Sequence, residues 1–167
     1  MKGKSTLQAV GSGAAGALAL TALHESARRR HPDAPRMDVL GKRAIVKGLK
    51  RMGRRPPEPD ALHRMTLLGD IAANSLYYSL VGAGRGPWVW FRGGLLGLLA
   101  GIGGVLLPGK MRLGRRPSGR TSRTKWMTVV WYLTGGLAAA AVSSLLTRFM
   151  REDTEGASAT QGEGAPA

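Results

Sequence analysis

In a chain whose apolar residues gather into long runs, the residues able to do chemistry are the few polar ones inside those runs. Asp70 is the clearest of them, the only acid between Asp60 and Glu152. Thr66, Asn74 and Tyr78 recur at helical intervals around it, so a helix here carries a polar stripe. His24 and Glu25 close the first apolar run at a similar depth. Asp70, Asn74, Tyr78, His24 and Glu25 therefore form a candidate intramembrane polar site, suited to passing protons or holding a cation, because an ionisable group inside a bilayer is costly to keep. The plainer reading of Asp70 is anchoring. It lies about one to two turns from the start of its helix, where the helix dipole favours a carboxylate and water is within reach. Arg92, about one turn from the outer surface, is expected to snorkel to the headgroups.

Reaction motifs fail the test of spacing. Lys110 followed by Arg116, Pro117, Ser118 and Gly119 resembles the opening of the phosphatidic-acid type of membrane phosphatase, but the spacing is one residue short. Arg120 stands where that motif needs histidine, and no histidine follows His63. The paired aspartates of a CDP-alcohol phosphotransferase are absent, and Gly101, Gly103 and Gly104 lack the lysine and hydroxyl of a phosphate-binding loop. No catalytic, cofactor-binding or metal site is expected, and the chain is read as something other than an enzyme. It has no cysteine, so disulfides and thiolate metal sites do not arise.

The positive charge has a place. Of 25 Lys and Arg, twelve fall in residues 24–65 and seven in residues 110–125, against six everywhere else. Short loops rich in Lys and Arg stay in the cytoplasm, which places both of these loops there and both termini outside. Within the first loop, Met37, Leu40, Ala44, Ile45, Gly48, Leu49 and Met52 share one helical face and Arg43, Lys47, Lys50 and Arg54 another, with Arg51 at its edge. The spacing predicts an amphipathic helix over about 34–53, capped by Asp33 with Pro35 in its first turn. Such a helix lies in the interface with its basic side toward anionic headgroups. Packing on a soluble partner or on the protein's own loops is the alternative. Arg43, Lys47, Lys50, Arg51, Arg54, Arg115 and Arg116 are the expected headgroup contacts; the loop around the last two reads as a flexible basic strap. The charge of +15 would also suit nucleic acid, but its position beside apolar spans favours lipid, and no nucleic-acid partner is expected.

The elements that must position these groups are membrane spans. A bilayer core about 30 Å thick takes roughly 20 mainly apolar residues as a helix, and backbone in lipid must satisfy its own hydrogen bonds. Four windows qualify: residues 5–23, 66–84, 87–109 and 126–147. The fold expected is all-α, an integral membrane bundle of about four transmembrane helices over residues 1–150, plus the basic amphipathic helix. Residues 151–167 read as a disordered acidic tail. The first window also resembles a secretory signal peptide; Arg28, Arg29 and Arg30 after it argue for an uncleaved span. Trp88, Trp90 and Phe91 mark the outer end of the third span and Trp126 the inner end of the fourth.

Helices in lipid associate through small residues rather than by expelling water. Gly93, Gly97 and Gly101 line one face of the third span, and Gly136, Ala140 and Ser144 one face of the fourth. Packing within one bundle is the expected use of these faces, with homo-oligomerisation the alternative.

Taken together, the Asp33 to Asp38 segment, Gly69 and Asp70 with Asn74, Tyr77 and Tyr78, and the glycine-rich third span resemble those of uncharacterised small multi-span inner-membrane proteins of bacteria. The resemblance covers about residues 10–147. It implies a multi-pass location in a bacterial inner membrane and no particular activity.

Overall fold

The computed structural model describes the backbone of residues 2–83 and 88–162, and the side chains within 5–83 and 88–151. The end of the second expected span at Gly84, the start of the third at Pro87, and tail residues 163–167 lie outside the described residues. Among the described residues the chain is all-helical. Its elements are α1 (Lys2–Arg28), α2 (Met37–Arg51), α3 (Pro59–Ala83), α4 (Val89–Lys110), α5 (Arg116–Gly119) and α6 (Ser122–Gly162). Among the described residues three helices are long and apolar enough to cross a membrane: α1 over Ser5–Arg28, α4, and α6 over Ser122–Arg151. At 25 residues α3 has the length as well, but Asp70, Asn74, Tyr77 and Tyr78 lower its mean hydropathy, and it is not among the three.

Helices α1 and α6 form the centre, with α3 laid along α1 and α4 along α6. Small residues let them approach. A Cβ on Gly97 would stand 2.7 Å from the Leu133 Cα, and one on Gly93 would stand 2.5 Å from the Gly136 carbonyl oxygen. The stripe of Gly93, Gly97 and Gly101 is thus spent on backbone contact with α6, where Gly136 and buried Ala140 receive it. Ser144 donates to the Ala140 carbonyl of its own helix. At the other seam Gly16 sits against Gly135, 2.7 Å separating its would-be Cβ from that carbonyl. Polar clamps add to this close packing: Tyr78 donates to the Tyr132 carbonyl at 2.7 Å, Tyr77 to that of Leu96 at 2.9 Å, and Gln8 to the Ser143 hydroxyl at 2.9 Å. Leucines, valines and aromatic residues face outward along the bundle, among them Leu18, Leu76, Leu99, Phe91 and Leu145.

Three expectations need correction. Helix α2 starts later than its sequence suggests: Arg36, not Asp33, is the cap residue, and no side chain caps it. Pro35 disfavours helical backbone in the residue before it, and Asp33 is engaged elsewhere, its carbonyl accepting the Thr124 hydroxyl at 2.9 Å. The second loop is folded rather than a flexible strap: it carries α5, and the Pro117 carbonyl accepts the Arg36 N–H at 2.7 Å. Helix α6 runs unbroken to Gly162, through most of the segment expected to be disordered. That stretch contains no proline, and extending an existing helix avoids the cost of nucleating one.

Candidate functional site

Two groups of polar residues sit at the end of the bundle that carries α2 and α5. The first is a pair of basic clefts where α2 meets the end of α4. Helix α2 packs on α3 through buried Leu40 and through Gly41, whose would-be Cβ lies 2.5 Å from the Thr66 methyl. That contact turns its basic face toward the loop after α4. There Arg43 donates to the Leu113 carbonyl at 2.6 Å and Lys47 to that of Met111 at 2.5 Å. Met111 caps the C-terminus of α4, where a cation is favoured, and Leu113 follows in the loop. The loop turns through Arg112 and Gly114 at positive φ, 55° and 92°. The φ at 114 favours glycine, and the Arg43 guanidinium tip passes 2.6 Å from where a Cβ on Gly114 would be.

The cleft on one side has a volume of about 590 Å³ and is walled by Lys42, Arg43, Lys47, Lys50, Arg51 and Arg112 over a floor of Val46 and Leu113. Its neighbour, about 420 Å³, shares Lys47, Arg51 and Arg112 and adds Lys110. No acid lines either cleft. Of the expected headgroup contacts, Arg43, Lys47, Lys50 and Arg51 come together here. Arg54, Arg115 and Arg116 are exposed but line neither cleft; the Arg115 side chain instead crosses Gly109. Lys42, Lys110 and Arg112 were missed. Lys110 and Arg112 belong to the other loop, so no periodicity within α2 includes them.

The second group encloses a cavity of about 30 Å³ among α1, α2 and α3. His24, Glu25 and Asp70, which the sequence grouped, all line it, together with Thr21, Asp38 and His63, which it did not. His24 is buried, its ring edge-on to Trp131 at 5.2 Å and to Tyr132 at 5.7 Å. Asn74 donates to the Asp70 carboxylate at 3.1 Å and to its backbone carbonyl at 2.9 Å. Tyr78 leaves this group, because its hydroxyl is spent on α6. Arg92 is far from it and donates to the Val81 carbonyl at 3.3 Å. No three His, Asp or Glu among the described residues are placed to hold a metal ion.

An ion-pair chain runs beside this cavity from the end of α1 to the start of α2. Glu25 accepts Arg28 at 2.6 Å, Arg28 reaches Asp38 at 3.8 Å, and Asp38 accepts Arg36 in a two-point bond at 3.0 and 3.1 Å. Burial alone would raise the Asp38 carboxyl, but the hydrogen bond from Arg36 and the charges of Arg36 and Arg28 outweigh it and hold the group below its ordinary value. Compared with protein families, curated proteins and solved structures, the chain finds no match in any of the three.

Proposed function

We propose that the chain is a multi-pass membrane protein whose loop face binds anionic lipid headgroups, acting as a structural or accessory component of the membrane rather than as an enzyme. The observation that carries this reading is the pair of adjoining clefts in which seven Lys and Arg and no acid surround an apolar floor. Cations this close repel one another, and a phosphate-bearing headgroup is the counter-ion always available at a membrane surface. Arg112, held at a positive φ of 55°, fits the tendency of strained backbone to gather where a ligand is held.

In this reading α3 is the fourth span. Its polar residues face inward: Asn74 and Tyr78 are buried, while Leu68, Leu76 and Leu80 are exposed along its outer side. A helix with apolar residues toward lipid and polar ones toward its neighbours satisfies both environments, although its average hydropathy is unexceptional. Helix α1 is an uncleaved span, because α3 and α6 both pack on it. The concentration of Lys and Arg places loops 24–65 and 110–125 in the cytoplasm and both ends outside, in a bacterial plasma membrane. Helix α2 lies at the headgroup level, anchored by Leu40 and Gly41 and presenting Lys42, Lys50 and Arg51.

Native mass spectrometry of the detergent-extracted protein tests this reading. The wild type is expected to retain phosphatidylglycerol in preference to phosphatidylcholine, and the triple variant Lys42→Glu, Lys50→Glu, Arg51→Glu to lose at least tenfold of that preference, about 1.4 kcal/mol. These three are chosen because Arg43 and Lys47 also brace the loop. Equal retention by wild type and variant contradicts the reading. A second reading, a small transporter or channel built on Asp70 and Asn74, draws support from the small cavity that Asp70 lines together with His24, Glu25, Asp38 and His63.

A further inference from the structure

The cavity among α1, α2 and α3 holds more hydrogen-bonding capacity than the protein satisfies. The Thr21 hydroxyl, both ring nitrogens of His24 and Nδ1 of His63 are buried with no hydrogen-bond partner among the described residues, and all three residues line the same space. His24 is only 7% exposed. Orphaned polar atoms inside a protein are rare and call for a water or an ion. The volume, about 30 Å³, suits one or two waters, since a water needs roughly 10–15 Å³ by this measure together with two to four polar partners.

Charge sharpens the point. The groups facing the cavity are His24, Glu25 and, through Glu25, Arg28 on α1; Asp38 and its partner Arg36 on α2; and His63 and Asp70 on α3. From α6 come only the Tyr132 and Trp131 rings, behind His24. Glu25 is paired with Arg28, and Asp38 with Arg36 and Arg28. Asp70 is the one lining carboxylate with no ion pair among the described residues; its side-chain partner is the neutral amide of Asn74. Even a half-buried carboxylate is costly to keep without a counter-charge. The unsatisfied groups nearest at hand are imidazoles, which become cations by taking up a proton.

We infer that the cavity is a proton-binding site, in which a proton taken from water at the loop side is held on His24 or His63 and balanced, through enclosed water, by the Asp70 carboxylate. The uptake adds one positive charge to the cavity and consumes nothing else. Exchange runs toward the loops, where Glu25 and Asp38 lead to the surface. Toward the other end of the bundle, α1, α3 and α6 close on one another where Gly16 meets Gly135 and the Tyr78 ring.

The test uses the full chain, labelled with nitrogen-15 in its three histidines, in nanodiscs of net-neutral lipid. The imidazole nitrogens are followed by NMR as a function of pH, and exposed His31 serves as an internal control. Asp70→Asn is expected to move the titration midpoint of His24 by about one pH unit, the effect of one charge in the same cavity. His63→Gln is expected to move the His24 curve and serves alone if Asp70→Asn does not fold. If the His24 curve superimposes on that of the wild type in every variant that folds, the inference is overturned. Neutral lipid keeps the result independent of headgroup binding.

Discussion

At the scale of single residues, the glycines of α4 divide by what they touch. Gly97 has backbone within 2.7 Å of where a Cβ would be, whereas Gly94, three residues earlier, has nothing within 4 Å. Gly97→Ala is therefore expected to cost about 1–3 kcal/mol through overpacking, seen as a lower midpoint of thermal unfolding in detergent, and Gly94→Ala to be silent or slightly stabilising. Equal effects would mean that α4 and α6 do not meet along this stripe. The stripe is legible in the sequence because a four-residue repeat of glycines on one helical face has few uses but close packing. The grouping of His24, Glu25 and Asp70 is legible for a similar reason, since two helix ends placed their depths together. His63 and Asp38 are not. Each lies outside the apolar windows, and only the packing of α3 on α1 and of α2 on α3 brings them to the cavity. Tyr78 was misgrouped because a helical interval fixes a face but not the neighbour beyond it.

At the scale of elements, the ion-pair chain through Asp38 fastens the start of α2 to the end of α1. A carboxyl held below its ordinary value contributes stability at pH values above its unfolded value of about 3.9, and that contribution is lost as the pH falls through the lower folded value. Thermal unfolding followed from pH 6 downward is thus expected to show a loss of stability below about pH 4 that is smaller in Asp38→Asn. Identical pH profiles would show that the contact with Arg36 does not fasten α2. The start of this helix was misread from sequence for a physical reason. Asp33 followed by Ala34 and Pro35 has the composition of a helix start, but Thr121, Thr124 and Arg120, some 88 residues away, compete for Asp33. The second loop was misread likewise: it has no apolar periodicity of its own, and its order comes from carbonyls that Arg43 and Lys47 occupy. The mean hydropathy of α3 is lowered by polar residues that lie to one side, Asn74 and Tyr78 being buried while Leu68, Leu76 and Leu80 are exposed.

At the scale of the whole molecule, the long helices α1, α3, α4 and α6 are closed at one end by a folded basic platform and packed on one another through small residues. In the proposed reading α3 crosses the bilayer, which puts the platform on one side and Trp88 on the other. The native chain has no cysteine, so single cysteines report cleanly. Arg54→Cys, Arg115→Cys and Trp88→Cys, each probed with a membrane-impermeant maleimide before and after permeabilisation, decide the matter. The account predicts that Trp88→Cys reacts in intact cells and that Arg54→Cys and Arg115→Cys react only once the membrane is opened; labelling of Arg54→Cys and Trp88→Cys from the same side would contradict it.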